Sequence, residues 1–212
     1  SIEYGAIPHI ADMINMNISF GSPEQALMAI AITQLGKFYG FPVHVNTGLT
    51  DSNVPDAQAG LEKAATMLAS ALAGAEMFGH LGIAGADQGA SLEQLVIDDE
   101  ICGYVKRILG GFKVNEETLA LDLIKNVGFG TFTGSAHTMK HMRKEQWYPQ
   151  LLNRYDWEKW SSEGSKDLLK KAREAKERIL KEYKVEPIDR SVEAEIEAIV
   201  KDAFKQIPFH ST

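Results

Sequence analysis

Thr47-Gly48-Leu49-Thr50-Asp51-Ser52-Asn53-Val54-Pro55-Asp56-Ala57-Gln58-Ala59-Gly60 is a junction between two kinds of chain. Pro42-Val43-His44-Val45-Asn46 before it reads as an extended apolar strand, and a long helical pattern begins near Asp56. In α/β proteins the loop leaving the C-terminal end of a strand is where ligands bind. This loop offers Thr, Asp, Ser and Asn side chains beside a glycine. The same residue types cap helices and make turns, so spacing alone leaves both roles open.

Upstream of the junction, Ser22-Pro23-Glu24-Gln25 predicts a helix start, with Ser as cap, Pro at the first position and Gln three residues after the Ser. That helix should run to about Tyr39 and stop at Gly40. Asp12 to Asn17 reads as a polar loop, and residues 1–10 as an extended segment from the middle of a longer protein. Downstream, the helix from Asp56 to about Glu76 carries Ala57, Ala59, Gly60, Ala64 and Ala65 among its many small residues, which let a helix lie close to a sheet. Met77 to Ile83 reads as a further short strand, and Ser91 with Gln94 three residues on predicts a helix to about Leu109, ended by Gly110-Gly111.

Asn115-Glu116-Glu117-Thr118 predicts the start of another helix, to about Val127, and the glycine-rich residues 128–134 lead to a shorter helix with His137, His141 and Arg143. Residues 146–160 are aromatic and irregular, and amphipathic helices over about 164–184 and 190–206 follow. Strand, loop and helix recur roughly every 35 residues, the alternation of a parallel α/β fold. Three such units are visible, whereas a closed eight-unit barrel takes about 250 residues, so the pattern fits an open sheet or part of a barrel.

At 212 residues and 44% hydrophobic content the chain can bury a sizeable core. The net charge of −7 is uneven: residues 1–113 hold 12 acids and 5 bases, and 114–212 hold 17 of each. An acidic chain of this kind argues against nucleic acid as the partner, because phosphate binding needs a clustered positive face. The basic stretch from Ser165 to Lys184 is interleaved with Glu174, Glu177 and Glu182 and reads as a solvated helix surface. No run of about 18 apolar residues occurs, so no membrane span is expected. No secretory signal is expected either. The lone Cys102 among apolar neighbours fits a buried thiol in a reducing cytoplasm.

Phosphate-loop, dinucleotide, nucleophile-elbow and zinc-protease motifs are all missing from the sequence. His137 and His141 have the spacing of metal ligands on one helical face, yet no carboxylate partner is fixed by sequence, and no metal is expected. Asp98-Asp99-Glu100 is a run of carboxylates of the type that serves as acid or base, but in a helix otherwise rich in Leu, Ile and Val it reads as the solvent face.

Pro55-Asp56-Ala57-Gln58-Ala59-Gly60-x-Glu62-Lys63, then Leu72-Ala73-Gly74-Ala75, Glu93 to Glu100 and Asn115 to Ala120 form ordered blocks that resemble the trimethylamine methyltransferase superfamily. Asn17 to Glu24 before them and Gly164 to Leu168 after them extend the resemblance over nearly the whole chain. Members are about twice this length, so the resemblance implies the C-terminal part of a (β/α)8 TIM-type barrel over residues 1–145. An aromatic segment and helical C-terminal extension over 146–212 would follow it.

The resemblance implies transfer of a methyl group from a methylated amine to Co(I) of a corrinoid carried by a cognate partner protein, in a cytoplasmic homo-oligomer. In the trimethylamine enzymes the loop after this strand carries pyrrolysine between Gly and Ser-Asp, and here Gly48-Leu49-Thr50-Asp51 places Leu49 at that position. Leucine has no electrophilic imine to capture a free tertiary amine, which implies a quaternary amine substrate such as glycine betaine. Trimethylamine and a non-catalytic docking or assembly role are the alternatives, with a barrel enzyme using a His137/His141 metal as a third. Asp51 and Asn53 are candidates for orienting substrate, and Gly48, Gln58, Phe78, His80, Phe129, Phe132 and His137 for contacting substrate or corrinoid. Aromatic faces or a carboxylate suit a methylammonium group. Gln58 and Glu62, one helical turn apart, are placed to brace the loop from below.

Overall fold

Alternation along Val43-His44-Val45-Asn46 sends successive side chains to opposite faces of a strand, and this decides the layering. In the computed structural model, which describes residues 2–6 and 8–206, Val43 and Val45 are buried against Ala29, Ile32, Ala75 and Phe78 on the helical side. His44 and Asn46 line the other side.

The elements are β1 (Tyr4–Ala6), β2 (Ile10–Ala11), β3 (Ile18–Ser19), α1 (Pro23–Phe38), β4 (Val43–Val45), α2 (Ala57–Ala73) and β5 (Met77–Phe78). After them come β6 (Ile83–Ala84), β7 (Gly89–Ala90), α3 (Leu92–Leu109), α4 (Glu116–Leu119), α5 (Leu121–Val127) and α6 (Ala136–Glu145). The last are α7 (Trp157–Ser162), α8 (Leu168–Glu182) and α9 (Arg190–Gln206). Strands β1, β4 and β5 form a parallel sheet in that order, with Gly5 opposite His44 and Val45 opposite Phe78. The mixed α/β class read from the sequence is the class of the fold; the described residues form an open three-stranded sheet and no closed barrel.

The chain forms two compact units, Ser1–Lys176 and Glu177–Thr212. In the first, α2 packs against both α1 and α3. Met67, Ala71 and Val105 form an apolar cluster with Phe78, Leu81 and Cys102, and Ile97, Leu151 and Ala172 form another. The second unit contains α9, whose Val192, Ile196, Ile199 and Val200 are exposed. Among the described residues no helix is long and apolar enough to cross a membrane.

Helix limits follow the expected chemistry at α2 and α3. Asp56 caps α2 by accepting from Ala59 N at 3.0 Å, and Gly74 closes it at φ +105°. Ser91 caps α3 by accepting from Gln94 N at 3.2 Å. Four expectations are corrected. Ser22 precedes α1 but makes no capping bond, and Gln25 turns inward instead of back onto the cap. The strand expected over 77–83 ends at Phe78, because His80 (φ +70°) and Gly82 (φ +81°) leave extended geometry. The helix expected from 115 to 127 breaks at Ala120, where φ is +49°. Within the segment read as irregular, Asp156 accepts from Lys159 N at 2.8 Å and starts α7.

Candidate active site

Residues 45–50 form an unbroken buried run at the C-terminal end of β4. A buried loop must find partners for its peptide groups, and α2 supplies them. Gly48 N donates to Thr66 Oγ1 at 3.2 Å, and Lys63 Nζ donates to Gly48 O at 2.8 Å. Gly48 has φ +89°, and a Cβ there would stand 3.1 Å from Met67 Sδ, so glycine is required on both counts.

One helical turn earlier, Glu62 Oε2 accepts from Thr50 Oγ1 at 2.6 Å and from Asp51 N at 2.8 Å, while Gln58 Nε2 donates to Glu62 Oε1 at 2.8 Å. Gln58 and Glu62 therefore do brace the loop, with Gln58 itself exposed. Glu62 reaches this position only because Gly21 opposite it has no side chain; a Cβ on Gly21 would overlap the carboxylate.

The two roles left open for the loop separate by residue. Asp56, with Ser52 donating to Oδ1 at 2.9 Å, caps the helix, and these bonds hold its carboxyl below the usual range, the Ala59 amide first. Asp51 does not cap α2: its Oδ2 accepts from Ser19 Oγ at 2.5 Å and its Oδ1 from Phe20 N at 2.7 Å, tying the loop to β3. Leu49, between the two anchored residues Gly48 and Thr50, is 0% exposed. Asn53 is exposed and lines a cavity of about 230 Å3 with Gly85, Gln88 and Ser91.

Beside the loop, the ends of β1 and β4 gather residues that the sequence did not single out. His9, stacked at 4.2 Å on Phe20, lies 3.2 Å from Asn46 Nδ2 and 3.4 Å from Gln25 Nε2. Gln25 is buried and its Nε2 donates to Asn46 O at 2.5 Å. Gln25 Oε1, Asn46 Oδ1, Thr47 Oγ1 and His80 Nδ1 are buried without a hydrogen-bond partner among the described residues. Asn46 and His80 line a cavity of about 180 Å3 with Gly5, Ala6, His44 and Val45, and none of these is Lys or Arg. Burial lowers the His9 pKa, with His80 acting in the same direction and Asp87 and Asp51 opposing it. Of these unpartnered groups, Asn46 Oδ1 and His80 Nδ1 belong to residues that line the cavity, and the carboxylates of Asp87 and Asp51 act on the neighbouring His9. The alternation at 44 and 46 is a visible signal for Asn46; His9 arrives through the β1–β4 pairing and Gln25 through the packing of α1 on β4, and neither has one.

The carboxylate run 98–100 is not a solvent face. Asp98 and Lys63 are both 0% exposed at their side chains and pair at 2.8 Å, with Gly82 N and Gln94 Nε2 also donating to Asp98 at 2.6 and 2.7 Å. Glu100 accepts from the N–H groups of Gln150, Leu151 and Leu152 at 3.2, 2.9 and 3.0 Å. Only Asp99 of the three is exposed, because the apolar stripe of α3 is shared with buried polar positions a turn apart.

The remaining candidates lie in different surroundings. Phe78 packs into the two apolar clusters on the helical side of the sheet. Phe129 is fully exposed and Phe132 partly so, both on the loop between α5 and α6. His137 Nε2 lies 2.8 Å from Glu117 O and stacks on His141 at 4.3 Å, and His141 pairs with Glu117. Among the described residues no group of three or more His, Cys, Asp and Glu is arranged to hold a metal ion. Burial raises the Cys102 pKa, as for an inert thiol, and its Sγ lies 4.0 Å from Met67 Sδ.

A family model described as trimethylamine methyltransferase (MTTB) matches residues 2–208. The chain is 38% identical over 204 residues to trimethylamine methyltransferase MttB of Methanosarcina barkeri, an alignment covering 96% of this chain and 41% of that protein. It is 36% identical over 202 residues to trimethylamine methyltransferase MttB of Desulfitobacterium hafniense strain DSM 10664 / DCB-2, covering 95% and 40%. It is 33% identical over 208 residues to the glycine betaine methyltransferase of Desulfitobacterium hafniense strain Y51, covering 97% and 43%. The chain spans about two fifths of the length of the curated relatives it matches.

Proposed function

The chain belongs to the trimethylamine methyltransferase family, and from that premise we propose that it is part of an enzyme moving a methyl group from a quaternary amine to a corrinoid on a partner protein. The observation that carries the choice of amine is Leu49. The loop that the family resemblance marks for pyrrolysine holds here a fully buried hydrocarbon side chain with no electrophile. A tertiary amine leaves poorly without activation; a quaternary nitrogen is already cationic and departs as a neutral amine. The family includes relatives named for each kind of amine, so the substrate choice is a real one.

Two unpartnered oxygens at and beside the end of β4 support a cationic substrate. Asn46 Oδ1 and Gln25 Oε1 face no donor among the described residues, and polarised N-methyl C–H groups are weak donors for such oxygens. Asp51 and Asp87 add negative potential near His9, whose charged form burial disfavours. His80, at the turn after β5, borders the same cavity. The corrinoid of the partner protein, a co-substrate in this reading, supplies a Co(I) nucleophile that accepts the methyl carbon while the C–N electron pair stays on nitrogen. The chain's own task is to hold the methylammonium in line and keep water from the reacting carbon. In the same reading, β1, β4 and β5 with their helices are part of a (β/α)8 barrel completed by further chain. Gly48, Asn53, Gln58, Phe129, Phe132 and His137 would border its mouth or the docked partner.

The experiment is methyl transfer to cob(I)alamin by the full-length protein, offered glycine betaine, other betaines, carnitine and trimethylamine. Demethylation of one quaternary amine is expected. Turnover of trimethylamine alone would overturn the argument from Leu49.

A further inference from the structure

Among the buried groups of the first unit, the Lys63–Asp98 pair has a role that its packing does not explain. Lys63 Nζ donates both to Asp98 Oδ2 and to Gly48 O, at 2.8 Å each. The same Oδ2 accepts from Gly82 N at 2.6 Å, and Oδ1 from Gln94 Nε2 at 2.7 Å. A continuous path therefore runs from the peptide before Leu49, through two charged side chains, to the turn that follows His80. Both side chains are 0% exposed.

A buried ion pair is a poor way to gain stability, because desolvation of the two charges offsets their attraction and apolar replacements often serve as well. Here the neighbours favour such a replacement, since Met67 one turn along α2 and Leu81 beside Gly82 already belong to an apolar cluster. What hydrocarbon cannot do is hold a specific carbonyl and a specific amide at fixed separation. Gly48 and Gly82 both have positive φ, in segments outside the sheet ladder, so these backbone groups depend on side chains for their partners.

We infer that Lys63 and Asp98 are positioning residues that lock loop 47–53 and turn 79–82 to one another, so that the buried Leu49 and the cavity-lining His80 keep one fixed separation in the methyl transfer proposed above. The inference rests on that reading for its chemistry, but the mechanical coupling is measurable without any substrate. Neither residue touches the reacting atoms in this account; both act through Gly48 O and Gly82 N.

The test uses the full-length protein with the double substitution K63M/D98L, and D99N on the exposed neighbour as control. Backbone amide hydrogen exchange is followed by mass spectrometry, and kcat and KM are measured on whichever amine the panel identifies. Faster exchange is expected in 47–53 and 79–84 together, with α2 and α3 still protected. A fall in kcat of about ten- to hundredfold should accompany it, with KM held within about threefold, because misplacement by about an ångström acts on the reaction more than on binding. Faster exchange in one segment alone, a uniform rise through α2 and α3, or an unchanged kcat would overturn the inference. If K63M/D98L does not accumulate as folded protein, K63M alone, which removes the donor to Gly48 O and leaves Asp98 on Gly82 N, takes the same measurements with the same expected directions. If no amine in the panel is demethylated, the substrate reading fails while the exchange result still decides the coupling.

Discussion

Two loops in this chain lead into helices, and they differ in what the helix gives back. The loop at 47–56 enters α2, which returns Glu62, Lys63 and Thr66 to bind its peptide groups, so residues 45–50 are buried without interruption. The loop at 128–135 enters α6, which among the described residues returns one side chain, Thr138, whose hydroxyl accepts from Ser135 Oγ at 3.0 Å and donates to Phe132 O at 2.7 Å. Of its two aromatic residues, Phe129 is fully exposed and Phe132 partly so. Both stretches hold glycine, threonine and serine ahead of a helix. Composition is shared; long-range polar anchoring is not, and preorganisation of a site comes from the anchoring.

The contrast can be broken most severely at Asp98. Asp98→Ala leaves Lys63 buried and unpaired, and should cost about 3–5 kcal/mol in urea unfolding; a loss well under this would show that the first loop is not tied through α3. Gly48→Ala should cost about 1–3 kcal/mol, from positive φ and from crowding against Met67, read as a lowered urea midpoint with unchanged slope.

A smaller effect is expected from pH. Burial places the folded His9 pKa below its ordinary value, so as pH falls below about 6.5 the unfolded chain takes up the proton first. In that window the unfolded state binds more protons, hence stability rises with pH and is lost on acidification. His9→Phe should flatten that slope in denaturation curves taken across the window, and an unchanged slope would assign it to another group. Phe129→Ala should leave the melting temperature of this chain unmoved. A loss of methyl transfer in the full-length Phe129→Ala protein would support the second loop's proposed place at the mouth or the docked partner, and unchanged transfer would remove Phe129 from it.

Local chemistry made much of this legible in the sequence. Asp56 and Ser91 were readable as caps because capping is decided within four residues, and the three strand–helix units because their periods differ. The brace from Gln58 and Glu62 was readable from a single helical turn. What stayed hidden depends on chain that is distant in sequence. Asp98 looked like surface because its partner Lys63 lies 35 residues away on another helix. Gln25 looked like half of a capping box because nothing nearby reveals Asn46 O, 21 residues on. His9 needed the β1–β4 pairing to reach the same place. The break at Ala120 has no residue signal at all, since alanine favours the helix that it interrupts.

Glu100 holds the chain at 150–152 by its amide groups rather than by its side chains. Such a grip is blind to residue identity, since every amino acid but one brings the same N–H. The attachment of this aromatic segment can therefore survive wide sequence drift at Gln150, Leu151 and Leu152, as far as this grip is concerned, while a single proline at any of the three would remove a donor that no rotamer can replace.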